Sequence, residues 1–227
     1  MTDLFENERI DDLEINDLRL IQNAEGYCFT SDSVLLANIV KARKTDKILD
    51  VGAGSGIISI LLAGKMGYGN VSALEIQKNM AALAARNVEM NGLSDKIVVI
   101  NSSLQDFAKS VPAESFDLIV SNPPYIASAE VEKLMPEVRD HEPRMALDGT
   151  EDGLYFYRRI IEEAGKHLVS SGMLFFEIGY DQGQAVSELM RTEGYCDVQV
   201  VQDYAGLDRV VFGTYVTVQP APFAKSR

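Results

Sequence analysis

Three short motifs carry residue types that can do chemistry, at spacings that chemistry requires. The first is Gly52-Ala53-Gly54-Ser55-Gly56, entered from the apolar run Ile48-Leu49-Asp50-Val51 and followed by a helical pattern from Ile57. Glycines at such a bend let the chain turn sharply and let a ligand approach the backbone. The helix start beyond it offers free N–H groups and the positive end of a dipole. The second is Glu75 with Ile76, at the end of the next apolar run and 25 residues beyond Asp50. A carboxylate there can accept hydrogen bonds from ribose hydroxyls, so the two motifs together read as a nucleoside-ligand site. The third is Asn122-Pro123-Pro124-Tyr125, directly after Phe116-Asp117-Leu118-Ile119-Val120-Ser121. Neither proline can donate in a sheet ladder, so the pair stiffens a turn at a sheet edge. The Asn122 side-chain carbonyl and the Pro123 main-chain carbonyl can then both accept from one –NH2 group, with Tyr125 stacked on the planar group that bears it.

These motifs need a scaffold that brings them to one edge. Candidate strands are residues 47–51, 71–75, 97–100, 116–120 and 173–178, each a short apolar run suited to burial on both faces. Helical patterns lie between them, at roughly 30–43, 56–66, 77–91, 151–169 and 181–193. Such alternation predicts an α/β, Rossmann-like fold with a mostly parallel sheet and helices on both faces. Two β-rich runs, 196–201 and 209–218, follow with only seven residues between them. That is too short for a crossover, so they should form an antiparallel pair and bring the sheet to seven strands. The whole chain reads as one domain: an extension with a cap helix over 1–45, a core over 46–218, and a tail over 219–227.

Composition narrows the function classes. The 227 residues hold 21 Lys plus Arg against 34 Asp plus Glu, a formal charge of −13 that disfavours non-specific polyphosphate binding. No run is long and apolar enough to span a membrane, and the acidic N-terminus does not resemble a signal peptide. Cys28 and Cys196 lie far apart and form no CxxC pair, which suits two reduced thiols in the cytoplasm and no zinc site. Lys41, Arg43, Lys44 and Lys47 form the densest basic cluster, and they suit the C-terminal dipole of the first helix better than an RNA surface.

The loop reads G-x-G-x-G behind Asp50, whereas the dinucleotide fingerprint is G-x-G-x-x-G. It resembles motif I of class I S-adenosylmethionine (SAM) methyltransferases. With Asn-Pro-Pro-Tyr after the fourth core strand, the order resembles N-methyltransferases that act on planar nitrogens. The resemblance implies SAM as cofactor and S-adenosylhomocysteine as product. Asp50, Gly52, Ala53, Gly54, Gly56, Glu75, Ile76, Phe29, Asp32 and Asn122 would lie against the cofactor. Asn122, Pro123, Pro124 and Tyr125 would form the catalytic turn, with no metal and no covalent intermediate. A nicotinamide oxidoreductase would use the loop and Glu75 but leave the turn unexplained. A SAM-binding scaffold without activity would leave the acceptor turn idle.

Which macromolecule bears the nitrogen is divided along the chain. Gly26-Tyr27-Cys28-Phe29-Thr30-Ser31-Asp32-Ser33-Val34-Leu35-Leu36-Ala37 and Glu75-Ile76-Gln77 resemble the bacterial tRNA adenine-N6 methyltransferases. His141-Glu142-Pro143-Arg144, Asp152-Gly153-Leu154, Glu177-Ile178-Gly179 with Gln182, and Gly206-Leu207-Asp208-Arg209 resemble the release-factor glutamine methyltransferases. The second family carries an N-terminal helical domain for which this chain has no room. Both families place an acid where Asn101-Ser102-Ser103 stands here. An RNA substrate needs a basic surface, so the charge favours a glutamine amide of a protein such as a release factor, with tRNA adenine as the alternative.

Overall fold

The computed structural model describes residues 4–23, 31–139 and 143–216. Seven strands form one sheet: β3 (Lys47–Val51), β4 (Asn70–Glu75), β5 (Ile97–Asn101), β6 (Phe116–Ser121), β7 (Leu168–Glu177), β8 (Tyr195–Gln202) and β9 (Asp208–Tyr215). Their spatial order is β5-β4-β3-β6-β7-β9-β8, with β9 antiparallel to both its neighbours. Strand order reverses between β3 and β6, the switch point at which an open α/β sheet leaves a crevice. The sheet class and the antiparallel C-terminal pair match the reading of the sequence.

Alternation along the strands builds the two layers. Ile48, Leu118, Val120, Phe175 and Val210 face a core closed by α1 (Ser31–Ile39), α2 (Ile57–Ile60) and α3 (Lys78–Met90). Their chain neighbours Leu49, Ile119, Leu174, Phe176 and Val211 face the other core, closed by α4 (Leu104–Ser110), α8 (Tyr155–His167) and α9 (Gly183–Thr192). Three single-turn helices, α5 (Ser128–Val131), α6 (Pro136–Arg139) and α7 (Arg144–Leu147), follow the Asn-Pro-Pro-Tyr turn. Among the described residues, no helix is long and apolar enough to cross a membrane.

Several boundaries differ from the sequence reading, each for a local reason. The first helix ends at Ile39 rather than near residue 43, so its last turn holds no basic residue. Lys41, Arg43 and Lys44 therefore sit in the turn that leads to β3, and their dipole role falls away. Strand β7 starts at Leu168, ahead of the expected Met173: Leu168 pairs with Phe116 of β6, and an irregularity follows before Leu118 pairs with Met173. The chain also forms α4, capped by Ser103, whose hydroxyl accepts from the Asp106 N–H at 3.1 Å. Beyond Ile60 the helix continues as a π turn over Leu61–Lys65.

The N-terminal segment forms an unexpected hairpin of β1 (Glu8–Asp12) and β2 (Arg19–Asn23). Leu20 and Ile21 are fully buried. Asn87 on α3 fastens the hairpin: its Oδ1 accepts from the Ile21 N–H at 2.6 Å, and its Nδ2 donates to the carbonyls of Ile21 and Ser55. One buried amide thus joins the hairpin to the glycine loop. Replacing Asn87 by alanine leaves three buried backbone groups unpaired. Asn87→Ala should therefore lower stability by about 2–3 kcal/mol in urea unfolding, whereas Asn91→Ala at the hairpin's exposed flank should cost less.

Candidate active site

Chain direction brings the three motifs to one edge. In the parallel register Val51 pairs with Ser121 on one side and with Leu74 on the other. The glycine loop, the turn and Glu75 therefore leave adjacent strands at the same level. Ser121 strengthens the join, donating its hydroxyl to the Val51 carbonyl at 2.7 Å. Lys47, by contrast, opens β3 at the opposite edge of the sheet, and the basic cluster lies there with it.

The glycine loop bends back on β4 through the Gly52 and Ala53 N–H groups, which both donate to the Leu74 carbonyl. Gly54 is left-handed, with φ 56°, and an added Cβ there would meet nothing within 4 Å. The requirement at Gly54 is conformational, and it leaves the backbone open to a ligand. Its N–H donates to Glu75 Oε2 at 2.9 Å, while the Gln77 N–H donates to Oε1 at 2.7 Å. Each carboxylate oxygen keeps lone pairs for a further donor. Gly56 closes the loop beside Ala84 of α3, and Ile76 stands exposed next to Glu75. Asn101, which ends β5, donates to the carbonyls of Glu75 and Ile76 and so braces that segment.

Asp50 is fully buried below the loop. Its Oδ2 accepts from the hydroxyl and N–H of Ser59, and its Oδ1 has no partner. Burial pushes the carboxyl up to about 7, with Ser59 opposing and Glu75 adding to the rise. An orphaned carboxylate oxygen, an open glycine loop and Glu75 suit a ligand that carries positive charge and ribose hydroxyls, as SAM does.

The acceptor turn is held from several directions. Pro123 is buried, while Asn122 and Tyr125 are half-buried. The Asn122 amide donates to Ser33 Oγ of α1 at 3.5 Å, and Ser33 itself is buried. Gln182 donates from Nε2 to the Tyr125 carbonyl at 2.9 Å, and its own Oε1 accepts from the Gly179 N–H. The Tyr125 hydroxyl donates to Glu177 Oε1 at 3.4 Å. Behind the turn, the segment after α7 folds back through Ile126 and Gly149, which exchange backbone bonds with Leu147 and Ile126. Gly153 lies so close that an added Cβ would collide with the Tyr125 carbonyl oxygen. Asp32 stands beside Arg209, at 3.9 Å, and Arg209 also pairs with Asp203 at 3.0 Å. Phe29 and Cys28 lie outside the described residues, and so does His141-Glu142.

Ser33 and Glu177 stood in the sequence only within segments that carry a family likeness, and Gly149 gave no signal there. Their parts depend on contacts between residues 89 and 52 positions apart in the chain for the first two. Gln182 and Gly153 were visible only through the family likeness.

A family model described as "Methyltransferase small domain" matches residues 29–138. A release factor glutamine methyltransferase of Geobacter sulfurreducens is 43% identical over 166 residues, covering 73% of this chain and 57% of the relative. Its counterpart in Gloeobacter violaceus is 35% identical over 200 residues, covering 88% of this chain and 68% of the relative. The chain belongs to the release factor glutamine methyltransferase family. It spans little more than half the length of the Geobacter member. The fold agrees with a methyltransferase structure from Pyrococcus furiosus, at TM-score 0.58 and 21% identity, with 82% of each chain covered. SAM is the cofactor of this methyltransferase family, and the loop, Glu75 and Asp50 fit it.

With Asp50 set against the positive charge of the cofactor, SAM binding is expected to depend on pH. The ionised form of Asp50, the one that attracts a cation, is half populated near pH 7 and falls away below that. Affinity for SAM in isothermal titration calorimetry should rise several-fold from pH 6 to pH 7.5. Asp50→Asn should flatten that slope. Gly153→Ala should disturb the acceptor turn while leaving SAM affinity within about twofold.

Proposed function

We propose that this protein methylates a planar nitrogen, and that the nitrogen is a glutamine side-chain amide in a protein such as a release factor. The observation that carries this reading is the Val51–Ser121 register, which sets the glycine loop and the Asn-Pro-Pro-Tyr turn side by side. When bound, SAM supplies an electrophilic methyl group on a cationic sulfur and is left as S-adenosylhomocysteine. Gly52, Ala53, Gly54 and Gly56 offer it backbone, Glu75 takes the ribose, and Ile76 offers an apolar face. Asp50 meets its positive charge.

Asn122 and Pro123 do the work on the acceptor. An amide nitrogen is a poor nucleophile because its lone pair is delocalised. Two carbonyl oxygens accepting from one –NH2 group fix its direction, disfavour the planar state and tolerate the positive charge that develops. Pro124 stiffens the turn, and Tyr125 stacks on the amide plane. Ser33 engages the NH2 end of the Asn122 side chain, which commits the carbonyl end to the acceptor.

Charge favours protein over RNA. Three arginines that follow the turn in the chain are already paired: Arg144 with Glu132 and Asp148, Arg158 with Asp152, and Arg209 with Asp203 and Asp32. The densest basic cluster begins at the far edge of the sheet, around Lys47. A phosphate backbone would meet few uncommitted charges beside the site, whereas a glutamine loop makes no such demand. The names of the curated relatives support the same acceptor.

The test is transfer of labelled methyl from SAM into a cell extract split into protein and RNA fractions. Label should enter a protein and map to glutamine, and Asn122→Ala should lower the rate about a hundredfold or more. Label in tRNA adenine instead would overturn the acceptor assignment. An unchanged rate in Asn122→Ala would overturn the site.

A further inference from the structure

Glu177 is a buried carboxyl that the scheme above does not use. It ends β7 with 2% exposure, and its Oε2 has no partner. Its Oε1 accepts from the Tyr125 hydroxyl at 3.4 Å, and its main-chain carbonyl accepts from the Tyr157 hydroxyl at 3.0 Å. We propose that Glu177 is a positioning residue, which acts through the Tyr125 hydroxyl to set the ring against the acceptor group. The inference rests on the N-methyl transfer reading above.

Two bland roles explain the carboxyl less well. The first is neutralising Arg209, the cation that bears on Glu177. Arg209 already has Asp203 at 3.0 Å and Asp32 at 3.9 Å. The second is holding the fold together. A buried carboxyl with an unpartnered oxygen is a burden on folding, and apolar replacements of such groups are commonly neutral or stabilising. What Glu177 contributes that no apolar side chain could is an acceptor for the Tyr125 hydroxyl. Gln182 grips the main chain of the same residue, at the Tyr125 carbonyl. Glu177 and Gln182 thus act on the two ends of Tyr125, and only the ring end depends on Glu177.

Charge does not confuse the comparison. Burial, with Asp32 adding to it, pushes the Glu177 carboxyl up to about 8, against the opposing pulls of Tyr125 and Arg209. At neutral pH a neutral substitute therefore changes the hydrogen bond more than the charge. Glu177→Met fills the volume without an acceptor, and Glu177→Gln keeps an acceptor.

The experiment measures kcat, KM for SAM and thermal midpoint for the parent, Glu177→Met, Glu177→Gln, Tyr125→Phe and the Glu177→Met, Tyr125→Phe double variant. Glu177→Met should melt no lower than the parent and keep its KM for SAM, yet lose about tenfold in kcat, the worth of one hydrogen bond. Glu177→Gln should recover most of that loss. The double variant should be no slower than Tyr125→Phe alone. Full kcat in Glu177→Met overturns the proposal, as do losses that multiply in the double variant. A parent that methylates no acceptor at all would instead sink the underlying reading.

Discussion

The Ser121 hydroxyl donating to the Val51 carbonyl is a small contact on which the site's geometry depends. It ties the end of β6 to the end of β3 just where strand order reverses. Two chains that leave a sheet at a switch point diverge, one to each face, and the crevice between them holds the ligand. Here the diverging chains are the glycine loop and the acceptor turn. Parallel strands lie about 4.8 Å apart, so the register alone brings the two motifs within reach of one small molecule. A one-residue slip would point Asn122 to the other face and leave the loop without its counterpart.

Adjacency does not orient a carbonyl, and the rest of the structure supplies that. Asn122 is tied to α1 through Ser33, the Tyr125 carbonyl to the start of α9 through Gln182, and the Tyr125 ring to β7 through Glu177. The close backbone approach of Gly149 and Gly153 fills the space behind the turn. Three elements and the loop through Gly149 and Gly153 therefore converge on this one turn. Acceptor groups held before the reaction need no reorganisation during it, which is where electrostatic catalysis gains most. On the cofactor side the same logic appears through Asn87, whose amide links hairpin, α3 and glycine loop.

Much of this was legible because it is local. The apolar runs at 47–51 and 116–120 became strands at nearly those bounds, and Pro123-Pro124 marked the edge where β6 stops. What stayed hidden depends on contacts distant in the chain. The hairpin β1–β2 carries charged residues at most positions of β1, and its identity as a strand pair comes from Leu20, Ile21 and Asn87 together. Asp50 reads as a ligand-binding acid in sequence. The structure adds that one of its oxygens is spent on Ser59, while Oδ1 is buried without a partner. Ser103, in the segment where the two families place an acid, spends its hydroxyl on capping α4.

The distribution of carboxyls at this edge has a chemical logic of its own. An electrophilic methyl group can be taken by any exposed oxygen nucleophile, a carboxylate included. The two acids nearest the glycine loop are restrained: Glu75 accepts two backbone N–H groups, and Asp50 lies under the loop with burial holding it near half ionised at neutral pH. In the proposed transfer the acceptors beside the target nitrogen are neutral carbonyls, from Asn122 and Pro123. These stabilise developing positive charge through dipoles and compete poorly for the methyl group. Glu177 sits behind the Tyr125 hydroxyl and is pushed up to about 8. A site that must place a weak nucleophile beside a strong electrophile has reason to keep its better nucleophiles engaged, buried or protonated, and these three carboxyls are each in one of those conditions.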